Sequence, residues 1–302
     1  MPDERQKMLG FEAAFDRYES IRNRLPSAVP ASQTRRASSL LDTIGAYDGY
    51  LFDSFGVLNV GDTAIAGAAD VLLDLRARNI PFCVLTNAAS YPSAEAFTKY
   101  QRLGLDVRPN EILSSREVLW DHLATYGCDR HWAAIATDAD TFADSPRRIT
   151  NLAHDVGDWT TPDGFLFLSA ACWTQAQQDR LVAALVKNPR PVLVGNPDLV
   201  APRETGLSIE PGFWAHDLQD RTGIQIEFFG KPFAAAFDQA AARIGSRKLA
   251  MIGDTLHTDI LGGQACGLDT VLVSDHGLFA GRDVAAFINQ SGIVPSWIVP
   301  SI

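Results

Sequence analysis

The chain has 302 residues, 46% of them hydrophobic and 21% charged, enough for a substantial buried core and for more than one average domain. Its formal net charge of −10 excludes nucleic acid or an anionic membrane surface as the main partner. Four widely spaced cysteines with no C-x-x-C pair exclude a zinc or disulfide framework. No apolar run reaches the ~18 residues of a membrane span, and no signal core opens the chain, so a cytoplasmic protein is expected.

In chain order, Leu9, Phe11, Phe15, Tyr18 and Ile21 recur at roughly helical spacing until Pro26, which predicts a helix laid on the core or used in a dimer contact. The small, polar stretch SAVPASQTRRASS reads as a linker. From Tyr47 the rhythm alternates: strand GYLFDSF, helix AGAADVLLDLRARNI, strand PFCVLTNAAS, helix SAEAFTKYQRLGL. Such alternation predicts a parallel, doubly wound α/β sheet of Rossmann-like type. Between 116 and 205 the strands HWAAIATD, GFLFLSA and PVLVGNPD, with the helix TQAQQDRLVAALVK, form an α/β insertion long enough to be a lid. The first rhythm then returns with IQIEFFGKP, the helix FAAAFDQAAARIG, the strand KLAMIGDT, the helix TDILGGQACGL and the strand DTVLVSD, and a tail is expected to pack on the core surface. The organisation expected is an N-terminal helical extension over 1–40, a core from 41–115 and 206–302, and a cap over 116–205.

Four polar spots follow apolar strands: Asp53, Thr86-Asn87, Lys231, and Asp254 with Asp259. Taken singly, each reads as readily as a helix cap or a surface turn. Together they converge on the carboxyl edge of the sheet, where open α/β folds bind ligands. Carboxylates gathered there beside a lysine are costly without a cation, and hard oxygen donors suit Mg²⁺.

The order and spacing of these motifs resemble the haloacid dehalogenase superfamily of aspartate-nucleophile hydrolases, most closely its class IIA branch of p-nitrophenyl-phosphatase-like enzymes with an α/β cap. FDSFGVLNVG resembles the nucleophile loop, VLTNAAS the phosphate-gripping motif, FFGKP the lysine motif and MIGDTLHTDILGGQACGLDTVLV the metal motif, while VGNPD resembles a stretch near the end of the cap. The resemblance implies that Asp53 attacks phosphorus and becomes an aspartyl-phosphate. Thr86 and the backbone around Asn87 would grip the phosphoryl oxygens, and Lys231 would neutralise charge. Asp53, Asp254, Asp259 and the main-chain carbonyl of Phe55 would hold Mg²⁺. It also implies a small phosphorylated substrate and a homodimer.

One letter departs from the pattern. The second Asp of the nucleophile motif, the acid/base, is Phe55 here, and general acid–base help is typically worth ~10²–10⁴-fold. Four readings follow. In the first, a phosphatase uses a displaced acid/base, with His257, Asp198 and Glu204 nearest in sequence. In the second, a dehalogenase-like hydrolase carries an aromatic residue at this place, but such enzymes attack carbon without a metal. A phosphonate hydrolase, the third, needs a helical lid between the first two motifs, where this chain has only a short link. The last is a binding or regulatory protein that keeps the fold. Substrate choice is assigned to the cap, through VGNPDLVAPRE and the turn Ser169 to Gln175, with Asn196 and Asp198 as the leading residues. Phe55 could pack against the leaving group, and Trp173 either stacks on a flat substrate or fills the lid core.

Overall fold

Short apolar runs pair side by side in a computed structural model that describes residues 8–153, 159–203, 206–246 and 248–302. The first sheet has seven parallel strands in the order Arg35–Arg36, Trp297–Val299, Asp269–Val273, Leu249–Gly253, Gly49–Phe52, Phe82–Thr86 and Ile112–Ser114. Its central strands are buried along their whole length, as expected of a parallel sheet covered on both faces. Tyr50, Phe52, Leu72 and Val84 pack on one face, and Leu51, Cys83, Phe237 and Met251 on the other. From the central strand Gly49–Phe52 the chain first winds outward through Phe82–Thr86, then returns much later as Leu249–Gly253 on the opposite side. That reversal opens a crevice at the carboxyl end of Gly49–Phe52, immediately at Asp53.

The insertion forms its own five-stranded parallel sheet, ordered Glu227–Phe228, Val192–Val194, Gly164–Phe167, Trp132–Ile135 and Ile149–Asn151. Helices Gln175–Lys187 and Pro211–Thr222 supply Leu181, Leu185, Trp214 and Leu218 to its core. The cap therefore runs past the expected boundary at 205. Leu193 pairs with Glu227 and Val194 with Phe228, so IQIEFF completes the cap sheet before Lys231 returns to the core.

The first 40 residues also do more than expected. Arg35–Arg36, inside the stretch read as a linker, adds an edge strand beside Trp297–Val299. That partner comes from the tail, which thus joins the sheet as well as covering it. Its flanking prolines hide the strand in the sequence, but Pro is tolerated near sheet edges. Helix Phe11–Ser20 buries Phe11, Phe15 and Tyr18 against Leu256, Ile260 and Phe279 of the core and Leu199 of the cap stretch. Met8–Leu9 pairs antiparallel with Gly206–Ile209, which itself pairs with Val200–Arg203. Arg17 reaches Asp220 on a cap helix at 2.5 Å, and Arg24 pairs with the same carboxylate. The extension thus spans core and cap together.

Phe11→Ala and Phe15→Ala are each expected to cost about 3–5 kcal/mol, read by urea unfolding. A loss below about 1 kcal/mol would mean that the helix is only tethered to the fold.

Candidate active site

Asp53 follows the central strand, and its N–H donates to the Ile252 carbonyl at 2.8 Å, so the neighbouring strand fixes its start. Its Oδ1 accepts from the Ser54 N–H at 2.7 Å and faces Lys231 Nζ at 2.6 Å. Lys231 Nζ lies 2.8 Å from Asp259 Oδ1. Burial alone would lower the lysine, yet the charges of Asp259 and Asp53 outweigh it and hold the ammonium well above its ordinary value.

Asp254 and Asp259 hang from the end of Leu249–Gly253. Asp254 Oδ2 accepts from the Leu278 N–H at 2.7 Å and Oδ1 from the Thr255 hydroxyl at 3.0 Å. Two glycines with left-handed φ, Gly56 at +79° and Gly277 at +69°, admit this carboxylate, and a Cβ on either would overlap it. Asp259 Oδ2 accepts from the Thr255 N–H at 3.1 Å. Burial and mutual repulsion raise Asp254 well above the carboxylate range. Burial pushes Asp259 up to about 6, against the pull of Lys231. Asp53, Asp254 and Asp259 each offer an oxygen within 4.8 Å of the others. An all-oxygen trio, two members fully buried and straining against one another's charge, fits a hard divalent cation such as Mg²⁺.

On the other side of Asp53, strand Phe82–Thr86 delivers Thr86 to the cleft, where its Oγ1 accepts from the Ala88 N–H at 3.2 Å. Asn87 lines the cleft too, but its amide is engaged by the protein. Nδ2 donates to the Lys231 carbonyl and to Asp198 Oδ1, both at 2.8 Å, and Oδ1 accepts from the Lys231 N–H at 2.7 Å. The side chain therefore ties the lysine loop to the cap stretch.

The cleft has an empty volume of about 620 Å³ and is lined by Asp53, Thr86, Asn87 and Asp254 of this group. Asn196, Asp198, Val200, Ala201, Pro202 and Arg203 of the VGNPDLVAPRE stretch line it. Asn196 Nδ2 donates to Glu210 Oε2 at 3.2 Å, and its Oδ1 accepts from the Asp198 N–H at 3.0 Å. Burial pushes the Asp198 carboxyl up to about 8, with Lys231 opposing and Asp53 reinforcing the shift. Phe55 lines the cleft with its ring between two cations: Lys99 Nζ at 3.8 Å and the Arg203 guanidinium carbon at 5.2 Å from the centroid. Lys99 is nine-tenths buried and Nζ has no hydrogen-bond acceptor among the described residues. Burial lowers it to about 8.

Three candidates lie away from the cleft, Trp173 in the lid core that was the second of its two readings. His257 faces the extension: its Nε2 meets Glu19 Oε1 at 2.5 Å and its ring stacks on Tyr18 at 4.8 Å. Trp173 is buried in the cap with Phe167 and Trp159 and donates to Gln178 Oε1. The turn from Ser169 to Gln175 does not line the cleft. Glu204 lies outside the described residues. Sequence reasoning missed Tyr91 and Glu210, which line the cleft, and Lys99 beneath Phe55. Lys99 gave no signal, because one lysine on an amphipathic helix reads as solvated surface.

Comparison with known proteins converges on one group. Residues 50–144 match the model described as haloacid dehalogenase-like hydrolase, and 228–302 match one described as HAD-hydrolase-like. An acid sugar phosphatase from Staphylococcus epidermidis is 26% identical over 237 residues, covering 75% of this chain and 86% of the relative. A structure from Cytophaga hutchinsonii, described as a possible sugar phosphatase of the HAD superfamily, superimposes with a TM-score of 0.79 at 27% identity, covering 89% of this chain and 98% of its own. A glycerol phosphate phosphatase from Mycobacterium tuberculosis in complex with magnesium shares the fold, with a TM-score of 0.67 at 24% identity over 84% of this chain and 74% of that one.

The raised carboxylates have a pH signature. Between the ordinary carboxylate value of ~3.9 and about 6, folded Asp259 keeps a proton that the unfolded chain has lost. The folded state then binds more protons, so stability falls as pH rises through that window. A divalent cation held by these carboxylates would replace that proton. The Mg²⁺-induced rise in Tm is expected to be larger near about pH 7.5 than near about pH 5. Equal rises at both, or none, would contradict a cation at these carboxylates.

Proposed function

The chain belongs to the haloacid dehalogenase-like hydrolases, in their class IIA branch, and from that membership we propose that it is a Mg²⁺-dependent phosphomonoesterase acting on a small phosphorylated sugar. The observation that carries the reading is the position of Lys231, buried with Nζ 2.6 Å from Asp53 and 2.8 Å from Asp259, directly behind the cleft that Asp53 and Thr86 line. An anionic nucleophile can approach an anionic ester only where positive charge is fixed in advance. Held by Asp53, Asp254, Asp259 and the Phe55 carbonyl, Mg²⁺ would neutralise charge on the phosphoryl group.

The chain's own residues divide the rest. Asp53 attacks phosphorus through a carboxylate oxygen and carries the aspartyl-phosphate, so one difficult hydrolysis becomes two steps. Lys231 offsets the charge on Asp53 as the phosphoryl group arrives. The Thr86 hydroxyl and the backbone of Asn87 grip the phosphoryl oxygens. Asn196 and Glu210 hold each other and Arg203 in place at the cleft, Arg203 and Tyr91 line it with donors suited to sugar hydroxyls, and the names of the relatives point to the same class. Phe55 presents an apolar ring beside the leaving group, where it helps exclude water. A dehalogenase-like reaction at carbon has no use for the three converging carboxylates. A purely ligand-binding role is the second reading, favoured by the loss of the acid/base at Phe55.

A panel of p-nitrophenyl phosphate and sugar phosphates, with Mg²⁺ and with chelator, tests the proposal. Phosphate release is expected only with Mg²⁺, and Asp53→Asn is expected to lower it by at least about 10³-fold, of the order that loss of a nucleophile gives. A folded protein that releases phosphate from none of them moves the reading to ligand binding.

A further inference from the structure

With Phe55 at the expected acid/base position, the cleft must supply its proton elsewhere. Lys99 lies against the Phe55 ring with a Nζ that has no accessible surface. Glu210 already accepts from Asn196, Ser208 and Arg203. Asp198 is different. It lines the cleft with Asp53 and Thr86, and only its Oδ1 is engaged, by Asn87 Nδ2 at 2.8 Å. Its Oδ2 has no partner among the described residues. The groups facing it are Lys231 from the lysine loop, Asp53 from the nucleophile loop, Asp259 from the metal loop and Tyr18 from the extension.

Its backbone is fixed on three sides. The Asp198 N–H donates to Asn196 Oδ1 at 3.0 Å, its carbonyl accepts from the Gly212 N–H at 3.0 Å, and the next N–H, of Leu199, donates to the Tyr18 oxygen at 3.0 Å.

We propose that Asp198 is the general acid and base of the hydrolysis, in place of the carboxylate absent at position 55. The assignment rests on the phosphatase reading. Burial, reinforced by Asp53, pushes the carboxyl up to about 8, so it holds a proton at neutral pH. As the Asp53 oxygen bonds to phosphorus and the P–O ester bond breaks, the Asp198 carboxyl passes its proton to the departing alkoxide, which leaves as an alcohol. The Asp198 carboxylate then takes a proton from the water that attacks the aspartyl-phosphate, releasing phosphate and restoring both side chains.

The test compares Asp198→Asn with the parent on a sugar phosphate and on p-nitrophenyl phosphate, whose leaving group needs no proton. Turnover of the sugar phosphate is expected to fall ~10²–10⁴-fold. The aryl ester should still give a burst of about one nitrophenolate per site, with phosphate trapped on Asp53, because the first step survives and the second does not. Phe55→Asp, which restores an acid at the family's position, is expected to recover sugar phosphate turnover in the Asp198→Asn background. Equal losses on both esters without a burst, or no loss, would overturn the assignment while leaving the phosphatase reading intact. Should Asp198→Asn fail to fold, the parent's pH profile decides. The ratio of sugar phosphate to aryl phosphate turnover is expected to fall as rising pH strips the proton from the Asp198 acid, and a flat ratio overturns the assignment. A parent inactive on both esters overturns the assignment and the phosphatase reading together.

Discussion

A single buried ammonium organises the active edge. Lys231 meets carboxylates from two different strands, and its own backbone is held by the amide of Asn87 from a third. Removing one member of such a buried pair typically costs about 3–5 kcal/mol, because the partner is left charged and alone. Three carboxylates gather here and Lys231 contacts only two of them, so the cluster remains under negative strain, and the raised Asp254 and Asp259 register it. A protein that needed only this shape would be better served by apolar residues of the same volume. Persistence of the whole cluster is therefore a chemical statement.

Phe55 changes the character of the cleft as well as removing a proton donor. A carboxylate at that position would have met Lys99 and Arg203 as an ion pair. The ring meets them through its quadrupole instead, an interaction worth about 2 kcal/mol when desolvated. Lys99 keeps its charge less readily as a result of its burial. Arg203 belongs to the cap hairpin and Lys99 to the core helix Ser93–Arg102, so the ring is also a contact across which cap and core meet.

The parallel core was legible because its strands are continuous apolar runs ending in the polar letters that do the chemistry. Asp53, Thr86, Lys231 and Asp254 stand at or just past strand ends, and Asp259 lies in the helical turn that follows one, where the fold itself gathers them. What stayed hidden was long-range. Nothing local distinguishes Glu227–Phe228 as a cap strand, since its role comes from pairing with Leu193 and Val194, more than 30 residues earlier in the chain. His257 sits inside a metal motif yet turns away, because Tyr18 and Glu19, nearly 240 residues before it, provide a stacking face and an acceptor. Lys99 was invisible for the same reason: its meaning depends on Phe55, not on its helix.

The extension has a consequence for how this protein can be divided. A cap joined to its core only by two linkers is an interchangeable part, which evolution or an engineer can exchange without touching the catalytic loops. Here the cap hairpin takes a third strand from Met8–Leu9, and the helix that follows fastens to Asp220 on one side and His257 on the other. Cap, core and N-terminus thus form a single inheritable unit. A chimera that brings in a foreign cap without its matching first 25 residues would leave Met8–Leu9, Arg17 and Tyr18, the parts of the extension that reach the cap, facing a stranger's surface.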